Sequence, residues 1–152
     1  MHITRYTDYA LRVLIYLNAQ GRELSTIQSV ADSYEISKNH LMKVVHQLTL
    51  GGYVESVRGK NGGIRLAKPA EEINIGALVR ETEPDMLLVE CFRTQNECVI
   101  TPVCALKPML AEALRAFLEV LDRYTLADIV HPRHQARLSG LLGIELVNLE
   151  VE

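Results

Sequence analysis

The residues best suited to chemistry in this sequence are three cysteines, Cys91, Cys98 and Cys104, the only ones in the 152-residue chain. All three fall within fourteen residues, in a segment without helical or strand periodicity. An odd number of cysteines argues against a disulfide framework, and the spacing lacks the close C-x2-C pairs of a zinc finger. Loosely spaced thiolates suit a polynuclear iron–sulfur cluster, because its iron atoms are spread more widely than the ligands of one zinc ion.

Three thiolates leave a four-ligand cluster one ligand short. The missing ligand would be another side chain, an exogenous molecule or a group from a second subunit. His131 and His134 are candidate bases, although they lie beyond a long predicted helix. The cysteines alone leave three alternatives open: small buried hydrophobic residues, a single zinc site, or a thiol redox switch without metal.

Enzyme chemistry finds little support among the other residues. The absence of a C-x-x-C motif weakens the alternative of a thiol oxidoreductase. No Ser/His/Asp triad, paired-carboxylate motif or phosphate-binding loop is recognisable either. We therefore predict that the protein is not an enzyme.

The first sixty-eight residues predict three helices followed by a β-hairpin. Apolar residues at three- and four-residue steps indicate a helix from Thr4 to about Ala19, and Ser25 to Gln28 has the form of a capping box for a second helix. Ser37 is a good N-cap for a third helix, and two short strands, 53–57 and 64–66, follow it. This order is typical of a winged helix-turn-helix domain.

The third helix and the hairpin loop carry side chains suited to DNA. With Leu41, Val44, Val45 and Leu48 turned inward, polar residues occupy the opposite face, and a helix of this kind fits the major groove. The loop between the strands supplies cations for phosphates and glycines that let the backbone approach a groove. The candidate DNA-binding residues are Ser37, Lys38, Asn39, His40, Lys43 and Gln47, with His46 beside them, and in the wing Arg58, Lys60, Asn61, Gly62, Gly63 and Arg65.

The distribution of charge agrees with a nucleic-acid partner. Residues 1–68 hold nine basic and five acidic side chains, a net charge of +4, whereas residues 69–152 carry a net charge of −7. The longest strongly apolar runs, Val13–Leu17 and Met86–Val89, are far shorter than the ~20 residues of a membrane span. The N-terminal residues do not have the form of a signal peptide, so we expect a cytoplasmic protein without a membrane partner.

The second half of the chain predicts one long helix after the cysteine segment. Asn74 is a candidate cap for a helix through Glu83, which Pro84 ends. Apolar residues spaced by 4, 3, 4, 3 and 4 positions then form a coiled-coil-like seam, and a short helix, Leu126–Val130, comes after it. The seam consists of Leu106, Leu110, Ala113, Phe117, Val120 and Tyr124.

Several segments together resemble the Rrf2 family of bacterial regulators, and within it the nitric-oxide-sensitive repressors. The resemblance extends to about Val130. It rests on Tyr6–Arg12, Ile36–Leu41, the wing Arg58–Leu66, the three-cysteine loop and Tyr124–Asp128.

The resemblance implies a mainly α fold and a homodimer joined through the long helix, 106–124. The implied domains are a winged helix-turn-helix DNA-binding domain (1–68), a cysteine loop with a dimerisation helix (69–130) and a C-terminal tail (131–152). Each subunit would hold a 2Fe-2S or 4Fe-4S cluster on Cys91, Cys98 and Cys104, with Asp8 lent by the partner subunit. Nitric oxide would act on the cluster and release the repressor from a palindromic operator.

One position separates branches of the family, and one spacing departs from the family pattern. Lys107 stands where the iron–sulfur biogenesis regulators have a histidine ligand, and a protonated lysine cannot bind a metal. The gap between the first two cysteines is one residue longer than in the family pattern. A related regulator sensing iron or cluster status remains the first alternative, and a thiol-redox or structural zinc protein the second.

Overall fold

The computed structural model describes residues 2–145 and shows a mainly helical chain with one small β-hairpin, as the sequence predicts. Met1 and residues 146–152, the end of the predicted tail, lie outside the described residues. The elements are α1 (Arg5–Gln20), α2 (Ile27–Tyr34), α3 (Lys38–Leu50), β1 (Val54–Val57), β2 (Gly63–Leu66), α4 (Ile75–Thr82), α5 (Leu106–Leu121), α6 (Leu126–Ile129) and α7 (Pro132–Leu141).

Helices α1 and α3 form the centre of the hydrophobic core. Thr4 caps α1 by accepting the N–H of Thr7 at 3.3 Å, and Gly21, with a φ of 77°, ends it. The apolar face predicted for α1 packs against the inward stripe of α3, and Leu14 and Leu41 are fully buried. The opposite face of α3 is thereby directed to solvent.

The start of α2 differs from the predicted capping box. Thr26 is the N-cap, and its hydroxyl accepts the N–H of Ser29 at 3.0 Å. Ser25 instead exchanges two backbone hydrogen bonds with Ile64 of the hairpin, at 3.0 and 2.7 Å. Because this bridge holds Ser25 in an extended conformation, the helix begins later and the wing is tied to the turn before α2.

The hairpin is antiparallel, with Val54 opposite Leu66 and Val57 opposite Gly63. A Cβ on Gly63 would lie 2.6 Å from the carbonyl oxygen of Ser25, and one on Gly62 would lie 2.2 Å from the carbonyl oxygen of Val57. The chain's own close contacts therefore require both glycines, a reason independent of any approach to DNA.

The second half of the chain packs on the same core. Asn74 caps α4 as predicted, accepting the N–H of Ala77 at 2.9 Å. Arg80 of α4 holds Asp122, just after α5, through two hydrogen bonds of 2.5 and 2.8 Å, and this pairing lowers the pKa of Asp122. Leu126 of α6 is fully buried in the core. Residues from both sides of position 68 share one hydrophobic core. The division of the chain into domains at that position therefore stays a prediction.

Helix α5 is the predicted long helix, ending at Leu121 rather than Tyr124. None of its residues is buried in the described chain. Leu106 and Met109 are 57% and 63% exposed, and Val120 is also exposed. No helix within residues 2–145 is long and apolar enough to cross a membrane. Leu118 and Leu121 are partly buried against the core, so the exposed apolar residues of α5 form a separate face that is available to a partner.

Helix α7 forms in the segment for which the sequence predicts only a tail. After it, Leu142 and Ile144 enter the core, and the hydroxyl of Ser33 on α2 donates to the carbonyl oxygen of Leu142 at 2.6 Å. The end of the described chain therefore braces α2 of the helix-turn-helix.

We expect Leu142→Ala to lower the free energy of unfolding by about 2 kcal/mol, because it removes buried methyl groups from this contact. Leu141→Ala is the matched control, since Leu141 is 74% exposed, and it should change stability by less than about 0.5 kcal/mol. Urea denaturation of the two variants and the parent measures the difference. Equal stabilities for both variants would contradict a bracing role.

Candidate nucleic-acid interface and metal-ligand residues

The outer face of α3 presents the predicted DNA-binding side chains to solvent. The exposed residues of this helix are Lys38, Asn39, His40, Met42, Lys43, His46, Gln47 and Leu50. Ser37 occupies the N-cap position, but its hydroxyl makes no cap hydrogen bond, contrary to the prediction. Its carbonyl oxygen receives the N–H groups of His40 and Leu41. The N–H groups of Lys38 and Asn39, at the start of the helix, therefore have no side-chain cap and are available to an anion.

The wing and the starts of two helices line one surface depression. Its lining residues are Thr26, Ile27, Gln28, Lys38, Ser56, Val57, Gly62, Gly63 and Ile64. A helix N-terminus attracts anions through its dipole and free N–H groups. This arrangement of two N-termini beside a glycine-containing loop suits the sugar–phosphate backbone of DNA.

The predicted wing cations differ in their surroundings. Arg58 and Lys60 are exposed, and neither has an ion-pair partner among residues 2–145. Arg65 is exposed as well, but its guanidinium is paired with Glu55 across the hairpin. Asn61 is exposed at the tip, where Gly59 takes a φ of 113°. Arg58 and Lys60 are thus the wing cations best placed to neutralise phosphate.

The three cysteines lie in the irregular segment between α4 and α5. Cys91 is in a 3-10 turn (Glu90–Phe92), and Cys104 follows a second one (Thr101–Val103). Between them, the carbonyl oxygen of Cys98 accepts the hydroxyl of Thr101 at 2.8 Å. All three thiols are free and half-buried. The structure therefore does not support the alternative of cysteines used as buried hydrophobic residues.

The loop also exposes large apolar side chains beside the cysteines. Val99 is 91% exposed and Val103 86%, and Ile100 is exposed as well. Contiguous exposed apolar residues mark interaction sites more often than free surface. Together with α5, this loop is the strongest candidate in the described chain for contact with another subunit.

The donor atoms fit an iron–sulfur cluster in their chemistry, since three uncommitted thiols lie on one loop. Among residues 2–145, however, no three His, Cys, Asp or Glu side chains are gathered closely enough to hold a metal ion. His131 and His134 are exposed at the start of α7 with ring centroids 6.3 Å apart, and they do not join the cysteines in such a group. The single chain thus supplies thiol donors without a completed site.

Asp8 lies near the start of α1 and is engaged with Arg12. The two side chains form an ion pair of 2.9 Å, and both are more than 40% exposed. The Arg12 guanidinium also lies 5.6 Å from the centre of the Tyr34 ring on α2. Burial raises the pKa of Tyr34 to about 12, so the ring stays neutral at physiological pH. Asp8, Arg12 and Tyr34 thereby connect α1 to the helix-turn-helix.

The predicted DNA-binding and metal-ligand residues include neither Arg12 nor Met42. The i, i+4 spacing of Asp8 and Arg12 in a predicted helix was a usable signal for their ion pair. The exposure of Met42 was implied by the helical periodicity that buries Leu41, Val44 and Val45.

These features define a DNA-binding protein of the winged helix-turn-helix class, with an exposed polar face on α3 beside a basic wing. A family model described as Rrf2, iron-dependent transcriptional regulator, matches residues 3–132. The chain belongs to the Rrf2 family, as the resemblance of its motifs predicts.

Curated relatives are considerably closer than family membership alone requires. The chain is 57% identical over 132 residues to the HTH-type transcriptional regulator NsrR of Bacillus licheniformis, and the matched region covers 86% of this chain and 92% of that protein. It is 58% identical to NsrR of Bacillus subtilis strain 168, over 86% of this chain and 90% of that protein. NsrR of Oceanobacillus iheyensis is 50% identical over 97% of this chain and 100% of that protein.

Solved structures agree on the fold. CymR, described as the global cysteine regulator of B. subtilis, superimposes with a TM-score of 0.69 at 26% identity, covering 85% of this chain and 95% of that chain. IscR of T. potens superimposes with a TM-score of 0.70, covering 90% and 91%, and at 24% identity it supports the fold alone. The family model and the curated relatives show that the protein is a transcriptional regulator of the NsrR type rather than an enzyme, as predicted.

Proposed function

We propose that the protein is an iron–sulfur transcriptional repressor that binds operator DNA as a homodimer and is released by nitric oxide, as a response to nitrosative stress. One observation carries this proposal: three free thiols on a single loop in a chain 57% identical to NsrR of B. licheniformis. The other described residues supply a basic wing and an exposed recognition helix.

The proposed homodimer rests on the exposed apolar surface of the second half. Helix α5 has no fully buried residue in the described chain, although Leu118 and Leu121 pack against the core, and the exposed part of the apolar seam would be covered by the same helix of a second copy. Val99 and Val103 of the cysteine loop extend the uncovered apolar surface. On this basis residues 69–130 are proposed to dimerise and hold the cluster, while residues 1–68 bind DNA.

Four ligands are proposed for the cluster: the thiolates of Cys91, Cys98 and Cys104 and the carboxylate of Asp8 from the other subunit. When bound, a 2Fe-2S or 4Fe-4S cluster supplies iron atoms that react with nitric oxide. A carboxylate is a harder and weaker ligand for such iron than a thiolate. Asp8 is therefore the ligand most easily lost, and Arg12, at 2.9 Å, is its competing partner.

The ion pair between Asp8 and Arg12 offers a physical connection between the proposed cluster ligands and the DNA-binding helices. With Asp8 engaged across the dimer, Arg12 would lose its carboxylate partner and keep the Tyr34 ring of α2 beside its guanidinium. Loss of that ligand would let the ion pair re-form and would remove the tie between the subunits. Dimeric helix-turn-helix proteins read half-sites spaced by about 34 Å, so a small change in helix separation misaligns one half-site.

A regulator of the same fold that senses a thiol compound or iron supply is the second candidate. The structural similarity to CymR, described as a cysteine regulator, favours it. Its identity of 26% is less than half of the 57% shared with NsrR. The nitric-oxide response is therefore preferred.

The proposal predicts that nitric oxide weakens operator binding at least tenfold, which corresponds to about 1.4 kcal/mol. Full-length protein is purified without oxygen, its iron and sulfide are quantified, and its affinity for DNA selected from a randomised duplex library is measured before and after nitric oxide. Cysteine added in place of nitric oxide tests the second candidate. Unchanged affinity after nitric oxide would contradict the proposal.

A further inference from the structure

Met42 is an apolar side chain in the middle of the surface proposed to read DNA. It is 50% exposed, and it follows Asn39 by three residues and precedes His46 by four. Residues at these spacings are neighbours on one helix face. The neighbours are polar and exposed, so Met42 interrupts a surface otherwise suited to hydrogen bonding.

Packing in the hydrophobic core does not explain why residue 42 is apolar. The buried residues of α3 are Leu41, Val44, Val45 and Leu48, on the opposite side of the helix. An exposed Leu50 also follows on α3, but it lies in the last turn. Met42 is the fifth residue of the helix, within the N-terminal half that contacts base edges in proteins of this class.

The major groove offers one apolar feature, the C5-methyl group of thymine, and apolar side chains are its usual partners. Methionine suits this contact, because its unbranched thioether adjusts to the shape it meets. We propose that Met42 contacts the methyl group of a thymine in each operator half-site and is a specificity-determining residue. The inference rests on the proposal that α3 is the recognition helix.

Replacing thymine with deoxyuridine tests the contact, because only the methyl group is removed. Duplexes are selected from a randomised library with the full-length, anaerobically purified protein, and each thymine is then exchanged for deoxyuridine in both half-sites. Removal of one buried methyl group weakens binding by about fourfold per half-site. We expect this loss at one thymine position with the parent protein and no loss there with Met42→Ala.

Two further variants separate the possible outcomes. Leu141→Ala, an exposed apolar residue on α7, should keep the parent's response to deoxyuridine. Lys43→Ala, on the same face as Met42, should weaken binding while keeping the methyl-dependent difference. The inference is overturned if the parent binds equally well with deoxyuridine at every thymine position. It is also overturned if the exchange of thymine for deoxyuridine weakens binding by Met42→Ala as much as binding by the parent.

The same assay distinguishes failure of the inference from failure of the proposed function. If the parent selects a sequence and Lys43→Ala weakens its binding, but the thymine methyl groups do not matter, only the role of Met42 is wrong. If the parent selects no sequence, α3 is not a recognition helix and both proposals fail.

Discussion

Replacing Cys98 with alanine is expected to reduce the iron and sulfide retained by anaerobically purified protein to near background. The loop supplies three free thiols, and the substitution would leave a polynuclear cluster with two thiolates and the one ligand proposed from the other subunit. Visible absorption bands should disappear with the metal. Iron and sulfide per chain, measured without oxygen, provide the quantitative test.

Lys107→Ala is the matched control for Cys98→Ala. Lys107 lies just beyond the cysteine loop, at the second residue of α5, and a protonated lysine is not a metal ligand. We expect this variant to keep parental iron and sulfide. A Cys98→Ala protein that stays coloured would contradict the cluster assignment, and colourless parent protein with one zinc per chain would favour the zinc alternative.

Mixed dimers should reveal whether Asp8 acts across the subunit interface. A chain carrying Asp8→Ala keeps its cysteines, and a chain carrying Cys98→Ala keeps its aspartate. If Asp8 is lent by the partner, a dimer of these two chains contains one complete site, although neither homodimer does. We expect co-expressed, differently tagged chains to recover about half of the parental nitric-oxide-responsive absorption.

An aspartate acting within its own chain makes the opposite prediction. In that case both sites of the mixed dimer lack one ligand, and no recovery follows. The control is Asp85→Ala in place of Asp8→Ala, because Asp85 precedes the cysteine loop and leaves Asp8 intact. The mixed dimer with Asp85→Ala sets the level expected for one complete site. If the mixed dimer with Asp8→Ala reaches that level while the Asp8→Ala homodimer is impaired, Asp8 acts across the interface. An unimpaired Asp8→Ala homodimer would show that Asp8 is not a ligand.

Local patterns in the sequence were sufficient for most elements of residues 1–68 and for α4. Helices α1 and α3 follow from apolar residues repeating at helical spacing, and Asn74 caps α4 because its side chain reaches the third N–H that follows. The hairpin follows from alternation around a glycine-rich loop. The metal-ligand and DNA-binding roles assigned to residues in these elements stay predictions.

Interactions between distant residues decided what the sequence could not. Ser25 has the residue type of a cap, yet its pairing with Ile64 takes its backbone and leaves capping to Thr26. The weak pattern after Val130 becomes α7 because Leu142 finds an apolar contact with the core and a hydrogen bond from Ser33. Neither partner is close in sequence.

The sequence by itself determined the residue types that limit the chemistry: three thiols on one loop, a basic wing and helices of known periodicity. These features depend on spacing along the chain, which local backbone geometry converts directly into helices and strands. Only the tertiary structure decided that Arg12 lies beside the Tyr34 ring, that no residue of α5 is fully buried in the described chain, and that Leu142 packs into the core. Burial and pairing are properties of surfaces brought together by folding, and no local pattern specifies which surfaces those will be.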